Sequence, residues 1–256
     1  MMRQPGLAAV FAALAALPGC LIPEYQPHLV EKDAFPEIAE FAKGKDKVCV
    51  VDVEGIITTH TPKGTLGAEP SMIEEVTKHL RRAAAAPDVK AVVLRVDSPG
   101  GEVTASDLLR SEVMRFRLSG KPVVAYFEGI AASGGYYLAA PADWIVIHPT
   151  TVTGSIGVIA AFPNIEGLMG KIGVDVKVIK SGAMKDGGSP FHAMDPAAEK
   201  VFQGMIDEMY GRFLQVVVDG RRDRKANQDL FTIETLKPIA DGRIYTANQA
   251  LANRLV

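Results

Sequence analysis

From residue 47 onward, runs of strand length rich in β-branched residues alternate with amphipathic segments, and this alternation limits the fold more than any other feature. "KVCVVDVEGII" (47–57) lacks apolar–polar alternation, which predicts a strand buried on both faces. "PSMIEEVTKHLRRAAAA" (70–86) reads as a helix, with Pro70 in its first turn and acids ahead of bases as the helix dipole favours. "KAVVLRVD" (90–97) is the next strand. "TASDLLRSEVMRF" (104–116) is a helix opened by a Thr104-x-x-Asp107 capping pattern and stopped before Gly120. "PVVAYFEG" (122–129), "DWIVIHP" (143–149) and "DVKVIK" (175–180) read as strands, followed by a long helix from about Pro196 to Val218. Strands alternating with helices predict an α/β domain with a parallel sheet, whose functional loops leave the carboxyl ends of the strands.

Two glycine-rich turns fall at such ends. "SPGG" (98–101) closes one strand and "AASGGYY" (131–137) follows the next. Gly100 and Gly101 permit backbone conformations and close approach that other residues forbid. Each turn leads into a helix, so free N–H groups converge on one spot, where an anion developing on a carbonyl oxygen would be stabilised. A phosphate is the competing guest, but neither G-x-x-x-x-G-K-[ST] nor G-x-G-x-x-G occurs. Ser133 sits among small residues that leave its hydroxyl approachable. It is either a nucleophile or the serine of a tight strand-to-helix turn.

A nucleophilic serine needs a base. The histidines His28, His60, His79, His148 and His192 have no spacing that singles one out. The esterase pattern G-x-S-x-G is absent, because Ala131 takes the place of its first glycine. A lysine kept neutral by desolvation is the other option, since burial disfavours the ammonium. Lys180 and Lys185, in "VIKSGAMKDGGSP", are the candidates, and spacing does not choose between them.

The 256 residues are 48% hydrophobic and 23% charged with a formal net charge of −2, which suits one sizeable core and gives no electrostatic case for a nucleic-acid partner. Two cysteines are too few for a disulfide framework, and Cys49 within its apolar run reads as a small hydrophobe. The N-terminus carries Arg3 and then an apolar stretch from Leu7 to Leu17. That is shorter than the roughly 20 residues a helix needs to span a bilayer, and the layout is that of a secretory signal peptide. Its "LPGC" resembles a bacterial lipobox, with Pro18 an unusual residue there. The expected organisation is a signal peptide over 1–19, a mature chain lipidated at Cys20, a proline-containing tether over 20–46, and a folded domain over 47–256. No His/Cys/Asp cluster suggests a metal, and no cofactor is expected.

Residues 47–256 resemble the signal peptide peptidase A family, the S49 serine peptidases of the ClpP/crotonase fold. The resemblance runs in order through "DSPGGEVTASD", "KPVVAYFEGIAASGGYYLAAPADWIVIHPTTVTGSIGVI", "VDVKVIKSGAMKDGGSP" and "ADGRIYTANQALANRLV". It implies an α/β domain of mostly parallel sheets with flanking helices, and a Ser-Lys dyad. By that resemblance Ser133 is the nucleophile and Lys185, in "SGAMKDGGSP", the general base. Ser155, in "TGSIGV", positions the lysine, and Gly101 and Gly134 supply the oxyanion N–H groups. It further implies cleavage of small apolar peptides such as signal-peptide remnants, and a ring-shaped homo-oligomer whose sites can combine residues of adjacent subunits. With Cys20 lipidated, the domain would be exported and held on a bacterial membrane. Two departures stand out. Asp97 replaces the family's usual asparagine, and the sequence ends at "NRLV", where relatives continue, as a naturally short or truncated member would. An acyl-CoA enzyme of crotonase type would use glutamates instead of this serine and lysine. An inactive peptide-binding or scaffolding lipoprotein is the reading that the two departures favour.

Overall fold

The structure, a computed structural model, describes residues 44–60, 63–64, 67–68, 70–222 and 231–256. The expected signal peptide, lipidated Cys20 and most of the tether lie outside the described residues. Gly44–Val256 forms one compact unit. In chain order it contains β1 (Lys47–Ile57), a ribbon of β2 (Lys63–Gly64) and β3 (Gly67–Ala68), α1 (Met72–Ala85), β4 (Val89–Gly101) and α2 (Val103–Arg117). There follow β5 (Val123–Ala132), α3 (Gly134–Ala139), β6 (Trp144–Ile147), β7 (Val152–Gly154), α4 (Glu166–Ile172) and α5 (Pro196–Arg222). The chain closes with α6 (Ile233–Leu236), β8 (Ile244–Thr246) and α7 (Ala247–Ala252).

The main sheet runs β1-β4-β5-β7-β8, with β6 also on β5. All its pairings are parallel except β7 with β8. β5 therefore changes partner along its length: Val124–Phe127 pairs with β6, and Ile130–Ala132 pairs with β7. That exchange brings the start of the segment after β7 beside the end of β5. The core lies on one face of the sheet, where Leu80, Leu94, Leu109, Phe127 and Tyr136 are fully buried.

Several local expectations change. β1 is an edge strand buried on one face only: Val51, Val53 and Ile57 point into the core while Val48 and Val50 are exposed. Val50, Val93, Val124 and Trp144 are in register across four strands, so the unbroken apolar run reflects a partly open sheet face instead of two buried ones. Pro70 stands outside α1, whose N-cap is Ser71 in a capping box with Glu74. The N-cap of α2 is Glu102, two residues before the Thr104 of the capping pattern, and it makes no side-chain cap bond. Asp107 instead accepts Tyr137 Oη at 2.6 Å and the Nε and Nη2 of Arg212. "DVKVIK", expected as a strand, pairs with no strand among the described residues, and its Val176, Val178 and Ile179 are exposed. β8 has only three residues, too few for its apolar period to be read from the sequence.

Candidate active site

β5 delivers Ser133 to a sharp turn. Its φ of 50° and ψ of −119° lie where a non-glycine residue is strained, and α3 begins with the next residue. The backbone around it is fully engaged: Ser133 N–H donates to Gly154 O at 2.9 Å, and Ser133 O accepts from Tyr137 N–H at 2.9 Å. A strand, a strained serine and a helix in succession are the arrangement that lifts a hydroxyl out of a parallel sheet. Gly134, as the first residue of α3, has an N–H without a partner inside the helix.

The glycines follow from packing. A Cβ on Gly100, whose φ is +98°, would lie 2.6 Å from Gly134 N and 2.8 Å from Ser133 Cβ. A Cβ on Gly101 would lie 2.0 Å from Ile57 O. Ser98–Gly101, expected as a separate turn, is instead the end of β4, paired to β1 through Gly101, and this glycine-rich strand end rests directly on the Ser133–Gly134 peptide. Ser98, read in the sequence only as part of that turn, is wholly buried; its Oγ donates to Gly55 O at 2.6 Å and accepts from Gly100 N–H at 3.1 Å. It holds the turn in shape. A buried hydroxyl ahead of two glycines is the one cue the sequence offered for this.

Ser155 is the second strained serine. Ala132 and Gly154 are ladder partners, so Ser133 and Ser155 leave adjacent strands side by side. Ser155 has φ 51°, and its N–H is held by Arg243 O at 2.8 Å. Among the described residues only Ser133, Ser155 and Arg254 combine a side chain with positive φ. Two of the three are therefore neighbours at this site.

Asp97 does not face the turn. Its Oδ1 accepts Ile130 N–H at 2.8 Å and sits against Gly129, inside the register shift between β4 and β5. The carboxylate stabilises a bulge. His60 is bonded to Glu102, His148 to Thr150 and His192 to Asp186.

Lys185 is not bonded to this cluster. It is exposed on a 3-10 turn, Ala183–Asp186, and among the described residues its amine has no hydrogen bond or ion pair to Ser133 or Ser155. Lys180 is committed elsewhere, donating to Asp186 at 2.6 Å and Ala183 O at 3.1 Å. The stretch leading to it carries uncovered apolar side chains, with Ile179 90% exposed and Val174, Val176, Val178 and Met184 also outside.

A parallel α/β sheet with a strained serine turn beside a glycine turn places the chain among the ClpP-like folds. The model of "Peptidase family S49" matches residues 115–256, and the chain belongs to that family. It is 38% identical to "Protease 4" of Salmonella typhi over 72% of this chain and 28% of the relative. It is 33% identical to "Protease 4" of Haemophilus influenzae over 90% of this chain and 36% of the relative. It is 31% identical to "Serine protease SPPA, chloroplastic" of Arabidopsis thaliana over 83% of this chain and 30% of the relative. The chain thus spans about a third of the length of these relatives.

Proposed function

We propose that the protein is a serine endopeptidase with a Ser-Lys dyad, and that Lys185 reaches Ser133 from an adjacent copy of the chain. The observation that carries the reading is the strained Ser133 turn, with Gly100 packed against it and Ser155 beside it. Ser133 Oγ attacks a peptide carbonyl while Lys185 Nζ, entering as the neutral amine, takes the hydroxyl proton. The new O–C bond gives a tetrahedral oxyanion, held by the N–H groups of Gly101 and Gly134. As the C–N bond breaks, the lysine passes that proton to the leaving amine; water then releases the acyl-enzyme by the reverse proton path.

Support for a shared site comes from the uncovered Lys185 and from the apolar stretch around it, which a second copy would cover. Covering would also desolvate the lysine and favour its neutral form. A ring of such copies, small apolar peptides such as signal-peptide remnants as substrates, and attachment to a bacterial membrane through lipidated Cys20 complete the reading. Co-expression tests it. Ser133→Ala and Lys185→Ala should each be inactive on a fluorogenic peptide, whereas mixed oligomers of the two should recover activity, because some interfaces pair an intact serine with an intact lysine. Mixed oligomers as inactive as their parents would contradict the shared site.

A further inference from the structure

We propose that Asp186, Lys180 and a protonated His192 form a charged clasp that positions the Lys185 turn for proton transfer. This rests on the reading of Lys185 as the base. Asp186 lies next to Lys185 and is nearly covered, its side chain 14% exposed. One carboxylate oxygen accepts Lys180 Nζ at 2.6 Å and the other faces His192 Nε2 at 3.2 Å. Lys180 also reaches Ala183 O at 3.1 Å, and Ala183 is the first residue of the turn. Both ends of the turn are therefore tied to one amine.

His192 fixes the other side. Its Nδ1 is 2.8 Å from Ala193 O, while its Nε2 faces the carboxylate. A carbonyl and an ionised carboxylate both only accept, so the imidazolium, with both ring nitrogens donating, is the form that satisfies both contacts. Ala193 N–H donates in turn to Glu166 Oε2 at 3.0 Å, linking the clasp to α4. The charged groups around His192 are Asp186 and Lys180 from its own loop, with Glu166 reaching it through Ala193. The bond to Ala193 O and the Asp186 carboxylate raise its pKa, while desolvation and Lys180 oppose. Asp186 is held below the usual carboxylate range, chiefly by Lys180.

The sign follows. A raised histidine pKa means the clasp is complete at low pH and loses one bond as pH rises through that pKa. Lys185 must lose a proton to act, so loop order and base strength pull in opposite directions with pH. His192→Arg keeps two donors and a charge at every pH.

The experiment measures kcat and KM of the full chain on a fluorogenic apolar peptide from pH 5.5 to 9.5. It compares wild type, His192→Arg and Asp186→Asn, with folding checked by circular dichroism. Asp186→Asn should lower kcat by up to about 100-fold, the scale of a misplaced catalytic group, with little change in KM. The ratio of wild-type to His192→Arg kcat should be constant at low pH and fall as pH rises through the raised His192 pKa. NMR of labelled histidine should show His192 titrating lower in Asp186→Asn than in wild type. If Ser133→Ala or Lys185→Ala still cleaves, the dyad itself is wrong. If both are dead while Asp186→Asn matches wild type and the His192→Arg ratio is flat, the clasp alone is overturned.

Discussion

Strain at Ser133 and Ser155 is borne by specific contacts. Gly154 O takes the Ser133 N–H, Arg243 O takes the Ser155 N–H, and Ser98 braces the facing turn. Such strain costs about 1–3 kcal/mol per residue and persists only where the surroundings fix it. Gly100→Ala should therefore be expensive: its added methyl meets the Gly134 amide, and its φ of +98° disfavours any side chain. Urea unfolding should show a loss of about 1–3 kcal/mol, together with lost peptide cleavage. Ser155→Ala should cut kcat with the fold retained, and unchanged kinetics would remove that residue from the site. Glu102, next to Gly101, gives a pH prediction. Its carboxyl is pulled down to about 2, first by the Thr58 hydroxyl and then by the Thr59 amide and hydroxyl. A depressed carboxyl contributes stability above its ordinary pKa and loses it as pH falls toward 2. Acid titration should show Glu102→Gln less sensitive than wild type between about pH 4.5 and 2.

Each element of the site is held by another. Tyr136 Oη on α3 donates to Leu255 O at 2.8 Å, and Tyr137 Oη on the same helix donates to Asp107 on α2. Arg221, on α5, is 2% exposed and donates to Ala140 O and Ala142 O, just past α3. Gly220 lets α5 sit there, since a Cβ on it would lie 2.2 Å from Ala140 O. Replacing Arg221 with methionine removes its two hydrogen bonds to Ala140 O, which should cost about 1–3 kcal/mol. The fall should appear in urea unfolding, and an unchanged midpoint would contradict this account. Hydrophobic period made β4, β5 and α1 legible from the sequence, but both strands run on into residues read as turns, β4 through Gly101 and β5 through Ala132. The one-sided burial of β1 was not, because Val48 and Val50 look like core until the open sheet face is seen. Nor was the use of Asp107 as an acceptor for Tyr137, since a carboxylate three residues into a helix start imitates a cap. The placement of Ser155 beside Ser133 depended on β5 changing partners, a long-range register that no local pattern encodes.

At the scale of the whole molecule, the described unit builds Ser133 into the sheet and carries Lys185, its proposed base, on an exposed turn. Ser133, Ser155 and the glycine turn are built into the sheet's carboxyl edge, whereas Lys185 rides on an exposed turn within an uncovered apolar stretch. Assembly would join them and at the same time strip water from the lysine. The resemblance to S49 peptidases supplied the roles of these residues, which composition and spacing alone left open between Lys180 and Lys185. The most direct test of the central claim is intact-mass and peptide-map analysis after reaction of the protein with a fluorophosphonate. The account predicts a single adduct mapped to Ser133, absent in Ser133→Ala and strongly slowed in Lys185→Ala, with peptide cleavage lost in both. Cleavage that persists in Ser133→Ala, or an adduct on another serine whose removal stops cleavage, would contradict it.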